Sequence, residues 1–310
     1  MAGRLAAAAL VAAASLTLAA CGGGSGGDPE RVVVALDFTP NAVHAPIYAA
    51  RDEGIEVRAP ASAPDGLKLV ASGRADMGVI DIHDLGLAAE KGSDVVGLAA
   101  LVQRPLAAVI ARGDVRRPRD LEGRRVGVSG LPSDPAVLRA VLEHDGARLG
   151  AVDQVTIGFA AVPNLVQRKV DAVPAFWNAE GVTLRRRGVA TREFRVDDYG
   201  APRYPEVVLF TSRRTLRERH GAIEDALRAI RAGVEEVTAR PGAAAGAIAR
   251  LSGADVELVR AQLDAVAPSL RPPLRLDRAA IERWADFDVR FGILERRPDV
   301  DRLFDFEIAR

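Results

Sequence analysis

The stretch Leu36-Asp37-Phe38-Thr39-Pro40-Asn41-Ala42-Val43-His44-Ala45-Pro46-Ile47-Tyr48 decides how the rest of the chain is read. It follows an apolar β-branched run, Val32-Val33-Val34, which has the composition of a buried strand. Pro40 and Pro46 stop any simple continuation of that strand or of a helix. An acid, an amide, an imidazole and two aromatics therefore fall in a loop straight after a core strand. In open α/β sheets, ligands sit outside the carboxyl ends of strands. The residues alone leave two readings open: the mouth of a pocket, or a polar turn into the next helix with Phe38 and Tyr48 as core anchors.

Outward from this loop, apolar runs alternate with helical patterns. Ile55–Arg58 alternates as a strand, and Asp65–Ser72 is helical with apolar spacing at Leu67 and Val70. Asp81, His83 and Asp84 end the next strand; they line a cleft, or Asp81 or Asp84 caps the helix from Leu85, a role that suits Asp84. The runs 95–101 and 106–111 are two further strands. Gly127–Asp134 follows another strand and precedes a helix. Such a turn presents backbone N–H groups and a positive dipole end to a ligand at Ser129, Gly130 and Ser133, or is a tight turn capped by Ser133 or Asp134. It lacks the Gly-Lys-Ser/Thr of a Walker loop. After the strand Val170–Val173 comes Pro174-Ala175-Phe176-Trp177-Asn178-Ala179-Glu180, an aromatic pair beside an amide and a carboxylate. Residues 223–239 form an amphipathic helix with Ile223, Leu227, Ile230, Val234 and Val237 on one face.

The 310 residues carry 42 basic and 42 acidic side chains, so no basic field is available for nucleic acid. At the beginning, Arg4 precedes the apolar run Leu5–Leu18, too short for a span of roughly 20 residues, and residues 1–20 read as a signal peptide. Leu18-Ala19-Ala20-Cys21 matches a lipobox, so lipidation is expected on Cys21, followed by a Gly-rich tether over 21–30. Cys21 is the one cysteine, which excludes an intrachain disulfide and a Cys-based metal cluster. Neither a metal nor a cofactor is expected.

The opening stretch resembles the L-D-[WF]-x-P-N-x-x-H-x-x-x-Y signature of periplasmic solute-binding proteins of the thiamine-pyrimidine-precursor type. These are related to the sulfonate, taurine and nitrate binding proteins of ABC importers. Val170 to Glu180 resembles a second signature of that group, V-D-A-V-x-G-x-[WY]-N-x-E, with Ala175 in place of its glycine. Pro118–Val128 resembles the passage into the second lobe, and Asp197–Thr211 the return. The chain departs from the group at Arg51–Ile55, where the connection is several residues shorter.

The resemblance implies an α/β fold, a type II two-lobed periplasmic binding protein whose two domains are joined by two hinge crossings. Lobe 1 would hold 31–113 plus 205–310, and lobe 2 would hold 114–204. It implies a monomeric, non-enzymatic importer component held to the membrane through the lipid on Cys21, passing a flat heterocycle to a permease and its ATPase. Phe38 and Trp177 would stack the ring; Asp37, Asn41, Asn178 and Glu180 would read its edge. His44, Tyr48 and Tyr204 would add hydrogen bonds, and the turn at Ser129, Gly130 and Ser133 would hold the substituent. Riboflavin is an alternative ligand, and sulfonate or nitrate another, which Asp37 and Glu180 disfavour. Fungal relatives of this fold make the pyrimidine from a protein histidine, but they carry a cysteine-rich iron site that this chain lacks.

Overall fold

The computed structural model describes residues 31–59 and 65–310; the expected signal peptide, lipidated Cys21 and tether lie outside the described residues. The strands form two five-stranded sheets. The first runs in the order β2 (Ile55–Arg58), β1 (Val32–Ala35), β3 (Met77–Asp81), β10 (Val207–Ser212), β4 (Val95–Val102). The second runs β7 (Asp153–Thr156), β6 (Arg125–Val128), β8 (Ala172–Phe176), β5 (Ala107–Arg112), β9 (Thr191–Arg195). Each sheet has four strands running one way and one inserted antiparallel strand, β10 or β5. The two-lobed α/β architecture is the one the sequence implies.

The first crossing corrects the expected boundary. Residues 106–111 read as apolar in either sheet, but Ala107–Arg112 pairs with β8 and β9, so the chain enters the second sheet after 103–106 rather than after 113. It leaves that sheet after Arg195 and re-enters the first at Val207. Both inserted strands start beside the carboxyl end of a parallel one: Val207 opposes Asp81, and Ala107 opposes Phe176. The strand ends of both lobes and both crossings thus meet around one cleft.

Helix His220–Ala239 buries Ile223, Leu227, Ile230, Val234 and Val237, the face its periodicity marks. Each such side chain contributes roughly 1.5–3 kcal/mol when removed from water. The helix packs on the short helix Ala45–Ala49. Gly233 permits that approach, because a Cβ there would stand 2.2 Å from the Pro46 carbonyl oxygen. The loop after β1 is therefore anchored from behind.

Candidate ligand cleft

In the loop after β1, Asn41 caps the 3-10 turn Ala42–His44. Its Oδ1 accepts from Val43 N–H at 2.9 Å, and its Nδ2 donates to the Thr39 carbonyl at 3.1 Å. The amide is thus engaged locally, in the cap and the preceding turn. Asn41 N–H donates to His44 Nδ1 at 3.3 Å, which assigns the ring proton to Nε2, and Nε2 donates to Asp37 Oδ1 at 2.7 Å. His44 is 1% exposed and orients Asp37 from beneath. Asp37 keeps part of its carboxylate exposed, and Phe38 stands out at 48%. Tyr48 is half-buried against the core near Arg51, and burial raises its phenol above the usual range.

On the other lobe, β8 runs into a π-helical turn, Trp177–Gly181, a form enriched at functional sites. Trp177 is 3% exposed; its Nε1 donates to the Pro105 carbonyl and its N–H to the Leu106 carbonyl, both at 3.0 Å. The Arg195 guanidinium lies 4.1 Å from its ring centroid. Trp177 is therefore a strut between the turn and the first crossing, not an open stacking surface. Asn178 is also buried, and its Oδ1 has no hydrogen-bond partner among the described residues. Leaving such an acceptor unmet costs about 1–3 kcal/mol. Glu180 accepts from Phe176 N–H at 3.1 Å, and burial pushes its carboxyl up. The turns 42–44 and 177–181 both pack on the helix Val256–Val266, which brings the two loops to one place.

The Gly-rich turn holds its own anion. Gly130 has φ +98°, and Ser129 directs both its N–H and its hydroxyl at Asp134 Oδ2, 2.5 and 2.6 Å away. Burial raises the Asp134 carboxyl. Ser129 and Gly130 therefore do not offer the free amide cradle expected of them; Ser133 begins the following helix and is half-buried.

Tyr204 is fully buried, and its hydroxyl accepts at 3.2 Å from His83 Nε2. His83 Nδ1 lies 2.8 and 2.9 Å from the two Asp288 oxygens. Burial pulls the imidazole down, but Asp288 and Asp81 outweigh it and raise its pKa to about 10. Asp81, not Asp84, is the cap, accepting from His83 N–H at 2.8 Å. Glu206 accepts from Leu106 N–H at 2.7 Å, tying the second crossing to the first. Asp81, His83 and Glu206 bring ligand atoms within 4.8 Å of one another. A cation there would have to displace the Tyr204 contact, so the cluster reads as a hinge network.

One residue of the rim is absent from the sequence reading. Phe159, in the loop after β7, is 68% exposed, and its ring centroid lies 6.1 Å from that of Phe38 at 49° between planes. An aromatic three residues past the carboxyl end of a parallel strand, behind Gly158 at φ +58°, was the available signal. The carboxylates around the cleft extend to Asp84, whose side chain is exposed but stands close enough to surrounding protein that partial desolvation, with the neighbouring Asp37 charge, raises its carboxyl. Two surface hollows of about 540 and 610 Å³ lie elsewhere, one beside β7 and one beside the C-terminus. The cleft is thus rich in hydrogen-bond acceptors and suits a ligand that brings donors.

Residues 41–244 match the family described as NMT1/THI5 like. A formylaminopyrimidine-binding protein of Halalkalibacterium halodurans is 31% identical over 223 residues, 68% of each chain. A 4-amino-5-hydroxymethyl-2-methylpyrimidine phosphate synthase of Saccharomyces cerevisiae is 24% identical over 155 residues, 46% of this chain and 45% of that one. Among solved structures, the periplasmic aliphatic sulphonate binding protein of Escherichia coli superposes with a TM-score of 0.73 at 16% identity, over 89% of this chain and 92% of that chain.

Proposed function

Because the chain belongs to the NMT1/THI5-like family and has the periplasmic binding-protein fold, we propose that it is the extracytoplasmic substrate-binding component of an ABC importer. It captures a pyrimidine thiamine precursor, of the hydroxymethylpyrimidine or formylaminopyrimidine type, and delivers it to a membrane permease and its ATPase. The lipid on Cys21 tethers it, and it catalyses no reaction.

The observation that carries this reading is the acceptor character of the cleft. Asp37 is aimed by His44, Glu180 is held by Phe176 N–H, and the buried Asn178 Oδ1 has no partner among the described residues. An aminopyrimidine brings an exocyclic amine and a ring nitrogen that binds a proton, which these oxygens accept from. Phe38 supplies the stacking face. A sulfonate or nitrate would instead meet carboxylates and a Ser129 turn already closed by Asp134. The lobes hinge about the crossings 103–106 and 196–206 to take the ligand between them.

A thermal-shift screen of the protein without residues 1–21 tests the reading. The panel holds hydroxymethylpyrimidine, its formylamino derivative, thiamine, riboflavin, taurine and nitrate. A ligand at 100 times its Kd stabilises by about 2.7 kcal/mol, a shift of several degrees. A shift with a pyrimidine, lost in Glu180→Ala, is expected; a shift with taurine or nitrate alone would overturn it.

A further inference from the structure

Phe38 and Phe159 are the two most exposed aromatic side chains among the described residues, and they face each other from opposite lobes. Aromatic residues make up 5% of the chain, and most of the others are buried or half-buried in its core. Each phenyl ring left in water forgoes the stabilisation that burial in its own lobe would give. We infer that Phe159 is the second jaw of an aromatic clamp, which with Phe38 holds a planar heteroaromatic ring on both faces and excludes solutes that are not flat.

The geometry sits close to that state. The centroids are 6.1 Å apart, within the 4.5–7 Å range of a direct aromatic pair. A ring sandwiched between two others needs about 7 Å, two carbon contacts of about 3.5 Å each. The rims would part by about 1 Å, and the phenyl planes would turn parallel. Because the rings belong to different lobes, ligand entering between them replaces a lobe-to-lobe contact with two ligand contacts. The clamp thereby couples ring shape to closure. A tetrahedral sulfonate is too thick to pass between parallel rings, so the same pair that favours a flat ring disfavours that class. Asp37, next to Phe38, accepts from the edge of a ring so placed.

This inference rests on the reading of the protein as a binder of a flat heterocycle, and the test separates the two. Affinities for hydroxymethylpyrimidine and its formylamino derivative are measured by calorimetry for the wild type, Phe159→Ala and Phe159→Trp. Loss of one stacking face weakens binding about tenfold or more, so Phe159→Ala should bind that much more weakly while its ligand-free melting temperature stays unchanged. The native Trp177 and Trp284 are buried, so Phe159→Trp adds an exposed indole whose emission should be quenched with the calorimetric Kd. If the wild type binds a pyrimidine and Phe159→Ala binds it within twofold, or the Phe159→Trp emission does not respond, the clamp is wrong and the functional reading stands. If the wild type binds no planar heterocycle, both fall.

Discussion

Phe38 and Asn41 on one lobe, and Trp177 and Asn178 on the other, are the same two kinds of side chain at the carboxyl ends of two parallel strands. The fold treats the two pairs in opposite ways. After β1 the ring is exposed and the amide is engaged in a cap. After β8 the ring is buried under Arg195 and the amide oxygen is left without a partner among the described residues. The cause lies in what each loop meets. Asn41 has extended backbone, φ −146°, which aims its side chain at Val43 N–H, while Trp177 falls where the first crossing presents the Pro105 carbonyl to its indole. An aromatic-amide pair beside a strand end therefore does not name a ligand contact by itself. In the proposed reading the exposed ring and the unmet acceptor meet the ligand, and they come from different lobes.

The largest effect separates the two rings. Trp177→Ala should cost about 3–5 kcal/mol of stability, as large-to-small changes of buried aromatics do, read as a fall in melting temperature without ligand. Phe38→Ala should leave that temperature nearly unchanged and weaken pyrimidine binding by about 1–3 kcal/mol, the worth of a stacking face. If Phe38→Ala unfolds the protein, or Trp177→Ala affects affinity alone, the contrast between the two loops is broken.

Asn178 sharpens the contrast from the side of the amide. Asn178→Leu replaces the unpartnered oxygen with an apolar group of similar size, so ligand-free stability should hold or rise, since a buried acceptor without a partner costs about 1–3 kcal/mol. Affinity for an aminopyrimidine should fall by a comparable amount, measured by calorimetry. A variant that loses stability and keeps its affinity would show that a partner inside the protein satisfies this oxygen.

Much of the scaffold can be read from local pattern. The apolar face of 223–239 is buried as its spacing indicates; Asp255 caps Val256–Val266 through Leu258 N–H; and Gly292 ends its helix at φ +74°. These features depend on residues three or four apart. What could not be read depends on distant partners. Residues 106–111 are equally apolar for either sheet, and only pairing with β8 and β9 places 107–112 in the second. The burial of Trp177 needs Pro105 and Arg195, and that of Tyr204 needs His83, 121 positions away. Phe159 carries no motif at all, and its role emerges only from the ring opposite it.

Asn41→Ala tests the engaged amide. Losing an N-cap costs about 1 kcal/mol, and here it also frees the turn that sets His44 behind Asp37. A small fall in melting temperature is expected, together with a modest loss of affinity that reaches the ligand through Asp37. An affinity loss as large as that of Phe38→Ala, with no change in stability, would mean that the Asn41 side chain turns to the ligand.

The smallest effect concerns Glu180, the carboxylate beside the unmet amide. Burial raises its pKa in the folded chain, so the folded state holds this proton more tightly than the unfolded one. Its contribution to stability is present below the ordinary carboxylate pKa of about 4.3 and is lost as pH rises through the raised value. Glu180→Gln keeps an oxygen for Phe176 N–H and removes the buried charge. Its melting temperature should lie slightly above that of the wild type at pH 7, and the gap should close as pH falls past the carboxylate range. Affinity should move the other way: wild-type binding of an amine donor strengthens as Glu180 ionises, and the variant shows a flatter profile. A variant less stable than the wild type at pH 7 would mean that a cationic partner compensates this carboxylate in the ligand-free protein. The acceptor-rich edge of the cleft would then rest on Asp37 and Asn178 alone.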